Sequence, residues 1–383
     1  MRLMNTPRSL DLLVTSRCNL RCMYCSHFSS GGDVDHDLPA DQWLSFFEEL
    51  NRCAVMDVCL QGGEPFIRPD FKELVQGIVR NRMRFSILSN GTLITDDLAA
   101  FLASTGRCSS VQVSIDGSTP FAHDAFRGEG NFSRAVNGLK CLIKHGISAT
   151  VRVTIHRKNV RELEAIAKLL LEDIGLPSFS TNAASHFGLC RKNAEQVQLT
   201  AEERSIAMEA LGRLTRTYNG RISAAAGPLA EARHWSQMEE ARRCGLVSMP
   251  GGGRLTGCGG TMTKLAVRAD GVLLPCSQIP DLELGRINHD DLRQVWTEHP
   301  ILNRLRDRVR ISLEEFEFCR GCPYINYCTG NCPALSYTLV HDAWHPSPDA
   351  CYRRFLEAGG RLPQPDGKPV PMAAERATQH AKC

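Results

Sequence analysis

The sequence predicts an α/β protein: a partial (β/α)6 barrel followed by a small cysteine-rich domain. Three observations carry this. Short β-type runs alternate with helical patterns from Ser9 to Asn182, the strands are polar on one face only, and cysteines crowd together at short intervals from Cys258 onward.

The expected strands are Ser9 to Thr15, Asp57 to Gln61, Arg84 to Ser89, Ser110 to Ile115, Thr150 to Ile155 and Ser178 to Asn182. Between them the spacing predicts helices over Asp41 to Cys53, Asp70 to Asn81, Asp96 to Ser104, Phe132 to His145 and Val160 to Ile174. In the fourth strand Val111, Val113 and Ile115 oppose Gln112, Ser114 and Asp116; in the fifth, Val151, Val153 and Ile155 oppose Arg152, Thr154 and His156. A parallel sheet covered by helices on both sides is apolar on both faces. The polar face therefore looks into a solvated or ligand-filled interior, unless these strands lie at an edge.

After Asn182 the βα rhythm stops. Helices are expected over Thr200 to Tyr218 and Leu229 to Arg243, and Pro250-Gly251-Gly252-Gly253 marks a flexible connection. The expected divisions are a barrel over 1–220, a helical bridge over 221–257, the cysteine-rich domain over 258–358 and a disordered tail over 359–383, which carries Pro363, Pro365, Pro369 and Pro371.

With 383 residues and 43% hydrophobic content the chain can bury a large core. No apolar run reaches the length of a membrane span, and Met1 to Pro7 lack the apolar core of a signal peptide, so the expectation is a cytoplasmic protein with no membrane partner. A net charge of +3, with basic and acidic residues interleaved, argues against nucleic acid as the main partner. The 17 cysteines sit in short-interval groups without an export signal, which favours metal binding in a reducing compartment over disulfides. Cys53, Cys59, Cys108, Cys141 and Cys190 stand alone, mostly among apolar residues, and read as packing.

Directly after the first strand comes Cys18-Asn19-Leu20-Arg21-Cys22-Met23-Tyr24-Cys25. Three thiolates at this spacing can bind three irons of a four-iron cluster and leave the fourth without a protein ligand. Zinc is the alternative, but structural zinc sites close with four N or S ligands, and His27 is the only nearby fourth candidate. Gly62-Gly63-Glu64-Pro65 follows the second strand, Ser89-Asn90-Gly91 ends the third and Ser114-Ile115-Asp116-Gly117 ends the fourth. These are the positions where barrels of this kind collect their reactive groups.

With an aromatic, Tyr24, before its last cysteine, the first motif resembles the signature of the radical S-adenosylmethionine (radical SAM) superfamily. The resemblance implies a TIM-like partial barrel in which Cys18, Cys22 and Cys25 ligate a [4Fe-4S] cluster and SAM is cleaved reductively to a 5′-deoxyadenosyl radical. It implies that Gly62, Gly63 and Glu64 meet the amino end of SAM, Ser89 and Asn90 its ribose, and Ser114 and Arg152 its carboxylate, with Tyr24 near the adenine. Arg152 has Asp116 as an alternative partner.

Downstream lie Cys258, Gly271, Cys276, Cys319-x-x-Cys322, Cys328, Cys332 and Cys351, an order that resembles the SPASM domain of the same superfamily. Two zinc ribbons are the alternative. The resemblance implies two auxiliary clusters, giving three [4Fe-4S] clusters in all. Cys258, Cys276 and Cys332 would serve the nearer one, and Cys319, Cys322, Cys328 and Cys351 the farther. The nearer lacks a fourth ligand, which Cys244 would supply unless that iron stays open. Sulfatase-maturing members carry Asp after the second of these cysteines; Ser277 stands there in this chain, a poor base, and Asp281 is the nearby candidate.

SPASM members mostly modify peptides, and Cys18 to Gly32 and Thr181 to Arg191 look similar to maturases of the SynChlorMet cassettes. The implied partners are a precursor peptide and a low-potential electron donor of flavodoxin or ferredoxin type. Only a short lead precedes the first strand, so leader recognition is expected from a separate peptide-recognition protein, a second maturase or an unfamiliar surface. Alternatives are a radical SAM enzyme acting on a small molecule, and a non-catalytic iron-sulfur carrier or zinc-binding interaction module.

Overall fold

The computed structural model describes residues 3–363, and most of the expected tail, with Cys383, lies outside them. Six strands form where the β-type runs predict: β1 (Ser9–Thr15), β2 (Asp57–Gly62), β3 (Arg84–Ser89), β4 (Cys108–Ser114), β5 (Ala149–Ile155) and β6 (Phe179–Ala183). They pair side by side and in parallel in chain order. The helices between them are α1 (Ala40–Arg52), α2 (Phe71–Arg80), α3 (Asp96–Ser104), α4 (Pro120–Arg127), α5 (Asn131–Lys144) and α6 (Leu163–Lys168).

The core lies between these helices and one face of the sheet. Val58, Leu60, Phe85, Ile87, Val111, Val113, Val151 and Val153 from the strands meet Trp43, Phe46 and Phe47 of α1, Leu74 and Ile78 of α2, Leu102 of α3, Leu139 of α5 and Ile166 of α6 in one buried cluster. The opposite face carries Cys59, Ser86, Gln112, Ser114, Arg152, Ser180 and Asn182, all partly accessible. Register sets Asp11 beside Cys59, Cys59 beside Ser86, Ser114 beside Arg152 and Arg152 beside Ser180. The one-sided polarity of the strands is thus an interior wall.

Several elements differ from the expectation. Helix α4 carries no apolar stripe long enough to reveal it, although Thr119 caps it by accepting from the Ala122 N–H and Pro120 opens it. The helix expected from Val160 begins at Leu163, because Asn159 turns the chain by bonding His156 N and Thr154 O. It ends in a π-helical turn over Leu169–Asp173.

Two short helices, α7 (Gly188–Lys192) and α8 (Ala194–Val197), precede α9 (Ala201–Thr217), whose start is a Thr200/Glu203 capping box. The βα rhythm does not stop at Asn182: β7 (Ile222–Ala224), only three residues long, adds a seventh parallel strand beside β6 and leads into α10 (Pro228–Arg243).

The cysteine-rich part joins the same sheet. After α11 (Gly259–Thr263), β8 (Lys264–Val267) pairs in parallel with β1. Then β9 (Val272–Leu274) and β10 (Gly285–Arg286) continue antiparallel, so ten strands run in the order β10-β9-β8-β1-β2-β3-β4-β5-β6-β7. The sheet does not close on itself, since β7 and β10 are its two edges. Helices α12 (Leu292–Glu298), α13 (Pro300–Arg306), α14 (Pro333–Val340) and α15 (Tyr352–Glu357) complete the domain. No helix among the described residues is long and apolar enough to cross a membrane.

The ends of β1 and β2 touch backbone to backbone. Gly63 N bonds Thr15 O at 2.8 Å and Glu64 N bonds Arg17 O at 2.9 Å. A Cβ on Gly63 would lie 2.1 Å from Arg17 O, whereas one on Gly212, inside α9, would meet only Arg216 Nη1 at 3.9 Å. Gly63→Ala should therefore lower the melting temperature, at a cost of about 1–3 kcal/mol for forced overpacking. Gly212→Ala should raise it, by up to about 1 kcal/mol of helix propensity. Thermal unfolding of the two variants beside the parent checks both signs, and an unshifted Gly63→Ala would contradict the close approach.

Candidate active site

The three cysteines sit on the loop that leaves β1, and the loop is held at both ends. Asp37 closes its base by accepting from Thr15 Oγ1 (2.5 Å), Ser16 N (2.8 Å) and Arg17 Nε (3.1 Å). Its far side is tied to neighbouring segments: Met23 N to Phe126 O at 3.1 Å, Asn193 Nδ2 to Met23 O at 2.9 Å and Leu189 N to Cys25 O at 2.9 Å. Gly188, at φ +49°, packs so closely that a Cβ there would lie 2.5–2.7 Å from three carbonyls of the loop. That contact explains a glycine at this position.

Glu64 is fully buried and its carboxylate is committed inside the protein. It accepts from Ser89 Oγ (2.9 Å), Asn90 N (2.7 Å) and Phe66 N (3.3 Å). Burial pushes its pKa up to about 7, and these same donors limit the rise. Ser89 is likewise engaged, donating to Glu64 and accepting from Gly91 N. Asn90 Nδ2 reaches Asn19 Oδ1 at 2.9 Å, and Leu20 N donates to Cys18 Sγ at 3.4 Å. The β2 and β3 ends therefore position the cysteine loop more than they present free groups.

Asp116 organises the next wall. Wholly buried, it pairs with Arg127 (Nε to Oδ2, 2.5 Å), accepts the Tyr24 hydroxyl and takes Thr154 N at 2.7 Å. Burial would raise its pKa, but Arg127, His156, His123 and Tyr24 together hold it below the usual carboxylate value. Tyr24 stacks on His156 with centroids 5.4 Å apart and meets Phe126 edge-on at 6.1 Å, leaving 8% of it exposed. Little of that ring remains to face an adenine. His123 and His156 are pushed by burial to pKa values of about 4, so both stay neutral.

Arg152 is not paired with Asp116. Among the described residues its side chain makes one hydrogen bond, from Nε to Ser180 Oγ at 3.3 Å, and the neighbouring Ser114 hydroxyl makes none. A guanidinium and a hydroxyl without carboxylate partners, side by side on the inner wall, fit the carboxylate of a bound SAM.

Among the described residues no three Cys, His, Asp or Glu side chains converge as the ligands of a single metal ion would. The cysteines gather in three looser groups instead. Cys18, Cys22 and Cys25 act electrostatically on one another; Cys276 is influenced by Cys332 and Cys258; and Cys319 by Cys328, Cys351 and Cys322. Burial pushes the Cys18 thiol up to about 11 and those of Cys276 and Cys319 to about 12.

The last four thiols line one cavity of about 30 Å³. In each group a backbone N–H two residues on donates to a thiol at 3.4 Å: Leu20 to Cys18, Gln278 to Cys276 and Gly330 to Cys328. Grouped thiols of this kind suit polynuclear clusters, whose sulfurs accept such bonds. Cys244 is the further candidate ligand. It is exposed at the end of α10, on a stretch tied to the farther set's segment through Tyr327 OH to Leu246 O and Met249 N to Asn326 O.

Asp281, exposed, lies against the cysteine loop, its Oδ1 2.0 Å from where a Cβ of Gly31 would sit. Of the five lone cysteines, Cys53, Cys108, Cys141 and Cys190 do pack in apolar clusters. Cys59 does not: strand alternation turns it to the polar wall, with Ser86 as hydrogen-bond partner and Asp11, Lys264 and Arg152 nearby. Sequence reasoning missed Arg127 and Asp37. A signal for Arg127 exists in His123 and Arg127, four residues apart just after Asp116-Gly117.

Comparison with known proteins agrees with this geometry. The radical SAM superfamily pattern matches residues 12–170, and the SPASM iron-sulfur cluster-binding domain matches residues 258–323. The AdoMet-dependent heme synthase of Methanosarcina barkeri is 26% identical over 356 residues, covering 91% of this chain and 97% of that protein. The mycofactocin maturase MftC of Mycobacterium ulcerans is 38% identical over 168 residues, 43% of this chain and 45% of that one. Among solved structures, Streptococcus suis SuiB bound to its precursor peptide SuiA shares the fold, with a TM-score of 0.67 at 16% identity over 91% of this chain and 77% of that one. Both domain patterns fall in order on a single continuous sheet, and the chain belongs to the radical SAM superfamily as an enzyme with a SPASM domain.

Proposed function

We propose that this enzyme installs a post-translational modification, a crosslink or related side-chain change, on a ribosomally made peptide. The observation that carries the reading is the unclosed sheet. Its polar inner wall spans β2 to β6, the sheet continues through β1 to β8 over the apolar patch of Leu13, Ala266, Val272 and Leu274, and an open edge admits an extended chain that a closed barrel would exclude. The 38% identity over 168 residues to a mycofactocin maturase, and the shared fold of SuiB bound to its precursor peptide, support it. The full-length likeness to a heme synthase favours a second reading, in which the substrate is a porphyrin-like small molecule.

Bound SAM and a reduced cluster supply the radical that removes a hydrogen atom from the substrate. The chain's own residues bind and orient. Cys18, Cys22 and Cys25 hold the cluster, Ser114 and Arg152 take the SAM carboxylate, and the backbone at Gly62 and Gly63 approaches closely because it lacks side chains. Glu64, Ser89, Asn90 and Tyr24 act by fixing these partners in place. Cys258, Cys276 and Cys332, and Cys319, Cys322, Cys328 and Cys351, would hold two further clusters, which would supply a path for electrons to or from the substrate. A low-potential flavodoxin- or ferredoxin-type protein is the donor. Asp281, at the rim of the cysteine loop, is the carboxylate available as a base.

Cys18→Ala, Cys22→Ala and Cys25→Ala together should abolish 5′-deoxyadenosine formation after dithionite reduction while leaving about eight irons, two clusters of the four-iron type. Full cleavage by this variant would remove the site assignment. Cys328→Ala should retain much of the uncoupled SAM cleavage yet yield no modified peptide by mass spectrometry with the precursor peptide. Product from a porphyrin and none from any peptide would establish the second reading. Arg152→Ala should weaken SAM binding by roughly tenfold to a hundredfold, as expected for about 1.5–3 kcal/mol in charged hydrogen bonds. Calorimetric titration of the anaerobic protein measures this directly.

A further inference from the structure

Arg308 is wholly inaccessible to solvent, yet among the described residues no carboxylate bonds to it. Its guanidinium spends its donors on backbone carbonyls: Nε on Ala343 O (2.7 Å), Nη1 on Thr256 O (2.6 Å) and Asn331 O (3.1 Å), and Nη2 on His345 O (2.9 Å). Thr256 lies two residues before Cys258, and Asn331 directly precedes Cys332. The cation is therefore anchored to the two chain segments that carry these thiols. Carbonyl dipoles satisfy its hydrogen bonds but do not neutralise its charge, and a buried charge without a counter-charge is strongly unfavourable.

Among the described residues, the only carboxylate acting on it is Asp342, which is partly exposed and uses Oδ1 to accept from Trp344 N. Burial lowers the Arg308 pKa to about 10, and the groups opposing that fall most are the thiols of Cys332 and Cys258. The farther cysteine set differs: the cation acting on Cys319 and Cys351 is Arg353, which has a carboxylate of its own in Glu357 at 3.6 Å.

We propose that Arg308 is the counter-ion of an anionic iron-sulfur cluster held by Cys258, Cys276 and Cys332, coupling its loading to the stability of the domain and raising its potential. This rests on the assignment of those cysteines to a cluster. The thiolate-ligated cluster is negatively charged, and more so when reduced. A fixed cation beside it favours the reduced state, and cluster loading in turn offsets the burial of the guanidinium.

The test uses the full chain in the Cys18→Ala, Cys22→Ala, Cys25→Ala background, so that only auxiliary clusters contribute. Melting temperature is measured for the parent, Arg308→Met and Arg308→Lys, each reconstituted with iron and sulfide and each stripped by chelation, and potentials come from EPR-monitored redox titration.

A charge-coupled Arg308 gives a larger loss in melting temperature for Arg308→Met when loaded than when stripped, with one auxiliary potential moved to a more negative value. Arg308→Lys, which keeps the charge without the fork of donors, holds that potential near the parent's. Equal losses in both states, or unmoved potentials in Arg308→Met, would reduce Arg308 to a backbone clamp and overturn the proposal. If Arg308→Met does not accumulate, a lowered potential in Arg308→Lys overturns it. A parent that loads only about four irons, one cluster, and still loads them after Cys258→Ala overturns the cluster assignment itself, and the proposal with it.

Discussion

Much of the site follows from one close approach, the meeting of the β1 and β2 ends with no side chain between them. Gly62, at φ +138°, and Gly63 lie where a Cβ would fall 2.2 Å and 2.1 Å from the carbonyls of Thr15 and Arg17. Because the backbones can meet there, Glu64 follows its glycines into the interior, where Ser89 and Asn90 at the end of β3 close on its carboxylate. Asn90 in turn reaches Asn19 on the cysteine loop. Three strand ends and the loop are thereby fixed relative to one another, and Asn90 Nδ2 also reaches Cys18 Sγ at 3.8 Å.

The protein buries charge in three ways, and each suits its place. Glu64 is surrounded by hydrogen-bond donors and titrates near neutrality. Asp116 and Arg127 neutralise each other and give Tyr24 a fixed anchor, so the cysteine loop rests on a pair of no net charge. Arg308 is surrounded by backbone acceptors but has no ion pair among the described residues. A completed ion pair makes a rigid support, whereas an unmatched cation beside thiols leaves its electrostatic partner to be supplied from outside the polypeptide.

The six main strands and most helices were legible because each has a clear period: alternation in β4 and β5, and an apolar stripe in α1, α2 and α5. What was not legible had too little length or a non-local cause. Strand β7 is three residues and β10 is two, short enough that no period can be read. Helix α4 announces itself only by Thr119 and Pro120. The motif residues Glu64, Ser89 and Tyr24 were found by pattern, yet their hydrogen bonds turn inward, because partners such as Asp116 and Arg127 meet only in three dimensions. Cys59 read as packing for the same reason: a lone cysteine among apolar neighbours does not reveal which face of its strand is wet.

The parallel ladder between β8 and β1 has a bearing on how such chains can be divided. Strand β1 is central, with β2 on one side and β8 on the other, and β8 comes from beyond residue 257. A fragment ending before β8 would leave one whole side of β1 with unpaired amides and carbonyls, the kind of exposed margin on which other chains assemble. The C-terminal part is thus no accessory appended to a self-sufficient barrel but the piece that completes its sheet. Insertions or exchanges that swap one C-terminal domain for another would have to preserve four residues of strand before any of the cysteine chemistry could be inherited.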